Sequence, residues 1–160
     1  MVLTVREESS RQDEVASLLR QSDANAALLY PNEHRRPLNS EALAAPGIRL
    51  FIARTVDLVA AGCCALFDRG DGRAELKRMI VDERFRQQGV GTALLRAVET
   101  TAMAAGIHLI QMEVGIKNTC GHAPYRRAGY KERGPFGSYK PSPVGVFFEK
   151  SLGQAPAANP

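Results

Sequence analysis

The chain has no tryptophan, and aromatic residues make up only 6% of its 160 positions. It holds three cysteines, Cys63, Cys64 and Cys120. No C-x-x-C pair and no His/Cys ligand spacing occurs, so no metal site is expected. A small, odd number of thiols suits a reducing compartment. No apolar run approaches the roughly 20 residues of a membrane span, and the opening MVLTVREESS lacks a signal core. The expectation is a cytoplasmic protein with no membrane partner. Basic runs are also lacking. The net charge of +4 and pI of about 9.2 are spread along the chain, which argues against a nucleic-acid partner and is compatible with an acidic ligand. The P-loop pattern G-x-x-x-x-G-K-[ST] is absent, and the glycines beyond Gly91 do not keep the dinucleotide-binding spacing. There is no internal repeat.

What is present fits one globular domain, expected over residues 1–152, with the proline-bearing GQAPAANP at 153–160 as a frayed tail. A hydrophobic fraction of 44% and a charged fraction of 24% are ordinary for such a domain. Val2 to Arg6 alternates like a strand. Ser9 or Ser10 then caps a helix whose apolar stripe is Val15, Leu18, Leu19, Leu28 and Leu29. Pro31 and Pro37 bracket a break, and Leu38 to Ala45 reads as a short second helix begun near Asn39 or Ser40. Strands follow at Ile48 to Ala53, Leu58 to Phe67 and Ala74 to Val81, with the turn DRGDG at 68–72 between the last two. A helix from Gly89 to Gly106 leads to a strand at Ile107 to Val114. A strand–helix–strand crossover makes its two strands parallel. A short helix over Thr119 to Ala128 and strands at Tyr130 to Arg133 and Val144 to Lys150 complete the reading.

The stretch Glu75 to Thr92, ELKRMIVDERFRQQGVGT, carries the first functional signal. A buried strand runs through a charged turn into a helix that opens on Gly89 and Gly91. The first N–H groups of a helix have no partner within it, and with the helix dipole they form an anion site. The two glycines remove Cβ atoms where a phosphate would approach, and Arg86 adds a cation. A pyrophosphate cradle is one reading; two ordinary glycines at a helix start is the other.

The residues Met79, Val81, Phe85, Arg86, Gly89 and Gly91 resemble the acetyl-CoA motif of the GNAT N-acetyltransferases. Glu83 stands where that family often has proline. Further on, Asn118-x-x-Gly121-x-x-Pro124-Tyr125-x-x-x-Gly129-Tyr130 is similar to the family's second motif, with Gly121 and Pro124 replacing the usual alanine and leucine. The resemblance covers roughly residues 48–152, and ERGPFGSY and FFEKSL near the end are similar to a bacterial subgroup of poorly defined acceptor. It implies an α+β fold in three α/β/α layers, with a mixed, mostly antiparallel sheet and two splayed parallel strands that receive the pantetheine arm of acetyl-CoA. It also implies acetyl transfer to a primary amine of a small molecule by direct attack in a ternary complex. The alternatives are acetylation of a protein N-terminus or lysine, or a CoA-binding module without turnover.

The roles follow residue by residue. The cofactor set implied is Met79, Ile80, Val81, Arg86, Gln87, Gln88, Gly89, Val90, Gly91, Thr92, Asn118 and Tyr125, with backbone groups of the strand edge pairing the pantetheine amides. Tyr125 is the expected acid for the leaving thiolate, because a phenol stays protonated at neutral pH. Glu75 is the base candidate. The competing reading is a Glu75–Lys77 ion pair on one strand face, and Glu113 is the alternative carboxylate. His108 and His122 are weaker candidates. Tyr30, His34, Arg35 and Arg36 fall between the first two helices, where the family lines the acceptor side, and Phe136, Gly137 and Tyr139 lie where an acceptor pocket closes. Strand edges near the C-terminus are compatible with a homodimer.

Overall fold

The computed structural model describes residues 1–30, 38–117 and 119–153. His34, Arg35, Arg36, Asn118 and the tail at 154–160 lie outside the described residues. Seven strands form one sheet: β1 (Leu3–Glu7), β2 (Ile48–Thr55), β3 (Ala60–Asp68), β4 (Arg73–Val81), β5 (Leu109–Gly115), β6 (Lys131–Arg133) and β7 (Gly145–Ser151), in the order β1-β2-β3-β4-β5-β7-β6. Every pairing is antiparallel except β4 with β5. Helix α1 (Asp13–Leu29) covers one face, where Val15, Leu18 and Leu19 pack with Leu50, Ile52, Cys63 and Ile80. Helices α2 (Val90–Ala104) and α3 (Thr119–Arg127) belong to the opposite side, where Val90, Leu94, Val98 and Tyr125 pack with Leu76, Ile110 and Phe148. This is the expected three-layer arrangement. The adjacent Cys63 and Cys64 fall into opposite cores, as strand alternation requires. Burial pushes the Cys63 thiol up to about 12.

Several local expectations need correction. Neither Ser9 nor Ser10 caps α1: the helix starts at Asp13 after Gln12, with no side-chain cap. The buried Ser10 instead donates through Oγ to the Ser40 carbonyl at 2.7 Å, tying the approach to α1 to a distant loop. The apolar stripe ends early, because Leu28 is 86% exposed and Leu29 is also exposed. The second helix shrinks to a 3₁₀ turn at Ala42–Ala44, begun by Asn39, whose Oδ1 accepts from the Ala42 N–H.

Gly106 stops α2 as expected, and Gly129 stops α3 in the same way. Gly106 has φ +80°, and the Ile107 N–H reaches back to the Ala102 carbonyl. Gly129 has φ +94°, and the Tyr130 N–H bonds the Tyr125 carbonyl at 3.0 Å. These are glycine-terminated helix caps. The second one gives the Tyr125-x-x-x-Gly129-Tyr130 spacing a physical cause, because it sets the two tyrosines against one another.

Arg54 holds the start of α1 to the sheet. Its guanidinium bonds both oxygens of Glu8 at 2.9 Å, those of Glu14 at 3.0 and 3.1 Å, Gln12 Oε1 and the Leu58 carbonyl. Arg54→Met is expected to cost about 2 kcal/mol, since two carboxylates lose their shared partner. The hydrogen bond from Arg54 holds the Glu8 carboxyl below its ordinary value of 4.5. A depressed carboxyl contributes stability that is fully present above that value and is lost as pH falls through the folded-state titration. Urea midpoints of the wild type and variant should therefore differ at pH 7 and converge as the pH falls below the folded-state titration of Glu8.

Candidate active site

The parallel joint between β4 and β5 is short. Only Arg73 with Leu109, Ala74 with Ile110 and Glu75 with Gln111 are in register. Beyond Glu75 the two strands part. A bulge sits there, because the β3 register shifts between Cys63 and Ala65 while Arg78 adopts φ +55°. Met79, Ile80 and Val81 lie on the parted stretch. Ile80 is buried against the α1 side, and Met79 and Val81 pack toward α2. Their side chains are thus committed to the core, and what they can offer a ligand is backbone.

The turn that follows is held by its own side chains and leaves backbone N–H groups exposed. Asp82 Oδ1 accepts from the Arg84 N–H, starting a 3₁₀ turn at Glu83–Phe85, and the Arg84 side chain pairs with the same carboxylate. That hydrogen bond holds the Asp82 carboxyl below the usual range. Glu83, at the position the related motif fills with proline, uses the N–H a proline would lack: it donates to Gln21 Oε1 of α1 at 3.0 Å. Gln87 (φ +60°) and Gly89 (φ +83°) are left-handed, a backbone alternation that turns successive N–H groups toward one concavity. Arg86, Gln87, Gln88, Gly89 and Thr92 are exposed. A Cβ built on Gly89 or Gly91 would meet nothing within 4 Å, so the space in front of the first turn of α2 is open. Val90 is 1% exposed and belongs to the core, so only its backbone can serve a ligand. The helix start is seated by Gly62, where a Cβ would lie 2.7 Å from the Ile80 carbonyl and 2.8 Å from Val90 Cγ1. An open edge, exposed helix N–H groups and Arg86 together fit a pyrophosphate with an amide-bearing arm.

On the α1 side the gap opens into a cavity of about 1420 Å³. Glu75 lies in its wall and is 2% exposed. Both of its oxygens are engaged: Oε1 with Arg69, and Oε2 with the Tyr139 hydroxyl, which donates at 2.5 Å. Lys77 Nζ stands 3.5 Å from Oε2. The Glu75–Lys77 pair read from the sequence is therefore present within a larger cluster that also brings Tyr139 to the carboxylate. Burial, then the hydrogen bond to Glu75, push the Tyr139 phenol up. Phe136 and Phe147 pack edge-on against Tyr139 or each other and stiffen that wall. Tyr30 closes one end of the cavity. Its hydroxyl accepts from the Lys117 N–H, and its ring lies across Gly115, where a Cβ would meet the hydroxyl at 2.1 Å. Glu113 lines the same cavity.

Tyr125 sits on the other face of the sheet. It is 8% exposed and packs against Tyr130 and Phe148 at 6.1 and 6.2 Å between centroids. Burial pushes its phenol up. Pro124 lies inside α3, a helix of nine residues. His122 is used structurally, its Nε2 3.0 Å from the Gly115 carbonyl, and His108 is exposed beside Gly72. Among the described residues, no group of three His, Cys, Asp or Glu could hold a metal, and no helix is long and apolar enough to cross a membrane. Sequence reasoning missed Arg69, Arg78 and Asp23. Arg69 had been read only as part of a turn, and nothing in the local pattern announces the bulge that places Arg78 on the cavity side.

Comparison with known proteins identifies the family. The family model for the GNAT acetyltransferase family matches residues 13–130. An IAA acetyltransferase of Azospirillum brasilense is 38% identical over 151 residues, covering 94% of this chain and 98% of that protein. A solved structure from Klebsiella pneumoniae, provisionally assigned as an acyl-CoA N-acyltransferase, superposes with a TM-score of 0.81 at 29% identity, covering 94% of this chain and 98% of that one. The PaiA N-acetyltransferase of Thermoplasma acidophilum in complex with coenzyme A superposes with a TM-score of 0.76 at 22% identity, over 94% and 99%. The chain thus belongs to the GNAT family of acetyltransferases, acyltransferases that use acetyl-CoA.

Proposed function

We propose that the protein acetylates a primary amine of a small molecule by direct attack within a ternary complex. The observation that carries this reading is the parting of β4 from β5 after Glu75, with exposed helix N–H groups at one end of the gap and a charged cavity on the α1 side. Acetyl-CoA, when bound, supplies a thioester carbonyl activated toward amines. Arg86 and the N–H groups of Gln88 to Thr92 would hold its pyrophosphate, and the free edge at Met79 to Val81 its pantetheine amides. An N–H of that edge would face the developing oxyanion.

Glu75 has no free oxygen, so the proton path runs through its partner. As the amine attacks, it passes a proton to Tyr139 Oη while the Tyr139 hydroxyl proton moves to Glu75 Oε2. Arg69 holds the other Glu75 oxygen, Oε1, and Lys77 Nζ stands 3.5 Å from Oε2. Tyr125, on the opposite face, would protonate the departing sulfur. A phenol is protonated at neutral pH, so the proton is in place when the sulfur departs.

The test is thermal unfolding with saturating acetyl-CoA, on the wild type and on Gly89→Glu and Gly89→Asn. A ligand bound only by the folded state raises the midpoint by RT ln(1 + [L]/Kd). The wild type should gain several degrees, Gly89→Glu nothing, and Gly89→Asn an intermediate amount, since asparagine tolerates the left-handed backbone and adds no charge. Absence of any wild-type gain would remove the acetyl-transfer reading. Given a gain, thiol release should follow from a panel of small primary amines.

A further inference from the structure

We infer that Gln111 Oε1 accepts a hydrogen bond from the attacking nitrogen, so that the site selects an acceptor with two N–H bonds, a primary amine, over a secondary one. This rests on the acetyl-transfer reading of the same cleft. The β4–β5 joint and the β5–β7 ladder place Glu75, Gln111 and Glu149 in one cross-strand row. Side chains in register share a face of the sheet, and Glu75 and Gln111 both border the cavity. Gln111 is 6% exposed, and its Nε2 donates to Glu149 Oε1 at 3.2 Å. Glu149 is also paired with Arg133, whose hydrogen bond holds the carboxyl below its ordinary value. An ionised carboxylate can only accept. The Gln111 amide is therefore held one way round, with its N–H side toward β7 and its oxygen turned away from Glu149. That Oε1 accepts no hydrogen bond from the described residues, yet it is not among the side-chain atoms sealed from solvent. In a residue buried this deeply at the cavity wall, the oxygen opens on the cavity. A buried acceptor without a partner is costly, so one presented in a fixed orientation is a built site for a donor.

What this oxygen reads is the number of hydrogens on the attacking atom. Gln111 adjoins Glu75 across about 4.8 Å of parallel ladder, and Glu75 Oε2 holds the Tyr139 hydroxyl. The lone pair of the amine forms the bond to the thioester carbon. One of its hydrogens passes to Tyr139 Oη, and the second stays on nitrogen, bonded to Gln111 Oε1. As attack proceeds the nitrogen gains positive charge, and this bond strengthens. When the C–S bond breaks and the sulfur leaves with the Tyr125 proton, the retained hydrogen is the N–H of the product amide. A secondary amine gives its single hydrogen to Tyr139 and sets carbon against Gln111 Oε1, which stays unpaired. Gln111 thus touches the reacting nitrogen and sets specificity, while Glu149, held by Arg133, positions it.

The experiment measures thiol release from acetyl-CoA with matched pairs: ethanolamine and N-methylethanolamine, benzylamine and N-methylbenzylamine, glycine and sarcosine. The wild type should favour its best primary amine over the N-methyl partner by about 30-fold in kcat/KM, the effect of one hydrogen bond to a developing charge. Gln111→Leu keeps the volume and removes the oxygen. It should lose about 30-fold on the primary amine and under about threefold on the N-methyl amine, with the acetyl-CoA thermal shift unchanged. A merely structural role would lower both amines together. Glu149→Leu removes the group that orients the amide and should reduce the preference by about threefold; an unchanged preference there overturns the positioning role. Equal turnover of the two partners by the wild type, or a preference that survives Gln111→Leu, overturns the inference. If Gln111→Leu does not fold, the wild-type ratio and Glu149→Leu decide. If no amine of the panel releases thiol, calorimetry of the primary amines alone decides: binding weakened by Gln111→Leu upholds the contact, and absent or unchanged binding overturns it. Failure of the acetyl-transfer reading is separate, because the acetyl-CoA thermal shift of the wild type is then missing as well.

Discussion

Glu75→Gln is expected to lower kcat/KM for the amine acceptor by about a thousandfold, within the range general-base catalysis supplies, and to leave the acetyl-CoA thermal shift intact. Glutamine keeps the shape and can still accept the Tyr139 hydroxyl bond, so the wall is preserved. What goes is the charge that receives the proton. Arg69 and Lys77 lose their counter-ion, but both reach solvent in part, and the fold loses little. Tyr139→Phe cuts the same path one atom earlier. If the two act as one relay, the double variant is no slower than Glu75→Gln alone. Additive losses would mean separate roles. A loss below about tenfold for Glu75→Gln would reduce the carboxylate to a structural counter-ion, and a parallel loss of acetyl-CoA binding would mean that the gap itself had moved.

The second large effect is expected far from any reacting atom. Gly62→Ala places a methyl 2.7 Å from the Ile80 carbonyl and 2.8 Å from Val90 Cγ1. Both neighbours are held, one by the sheet and one by the core, so neither yields without moving β4 or the start of α2. Overpacking of this kind costs about 3 kcal/mol, or roughly 6–12 °C in the unfolding midpoint at this chain length. Because the displaced residue is the first of α2, acetyl-CoA affinity should fall with it, by about tenfold. Gly91→Ala is the contrast. Its Cβ meets nothing, so the fold should be unaffected and any loss should be confined to the ligand. A Gly62→Ala protein as stable as the wild type would show that the helix start is not seated on β3 in this way.

The parts that were legible in the sequence are those set by neighbouring residues. The β4–α2–β5 crossover follows from a strand, two glycines and an apolar stripe within some forty positions, and the stop at Gly106 needs only the left-handed backbone that glycine permits. The parts that were not legible are set by distant residues. Ser10 was read as a cap because its pull toward Ser40 is a tertiary contact. Leu28 and Leu29 extend a helical stripe on paper, but in the fold both are exposed. Glu75 could be read either as a base or as a partner of Lys77, and it is Tyr139, 64 positions away, that connects it to the cavity. Arg78 was invisible because a bulge shifts the strand's alternation by one residue, and only the mismatch between Cys63 and Ala65 on β3 betrays it.

The three-pair joint at Arg73 to Glu75 divides the sheet mechanically into two leaves. One leaf is β1 to β4, and the other is β5, β7 and β6. The joint is their spine. Glu75 and Arg78 ride on the first leaf, while Tyr139 and Tyr125 are carried by segments of the second. The Tyr139–Glu75 bond is thus a clasp fastening the leaves across the slot they enclose, on the opposite margin from α3. Width of the slot and reach of the proton path are then one mechanical variable: any change that opens the leaves at the spine also lengthens the clasp.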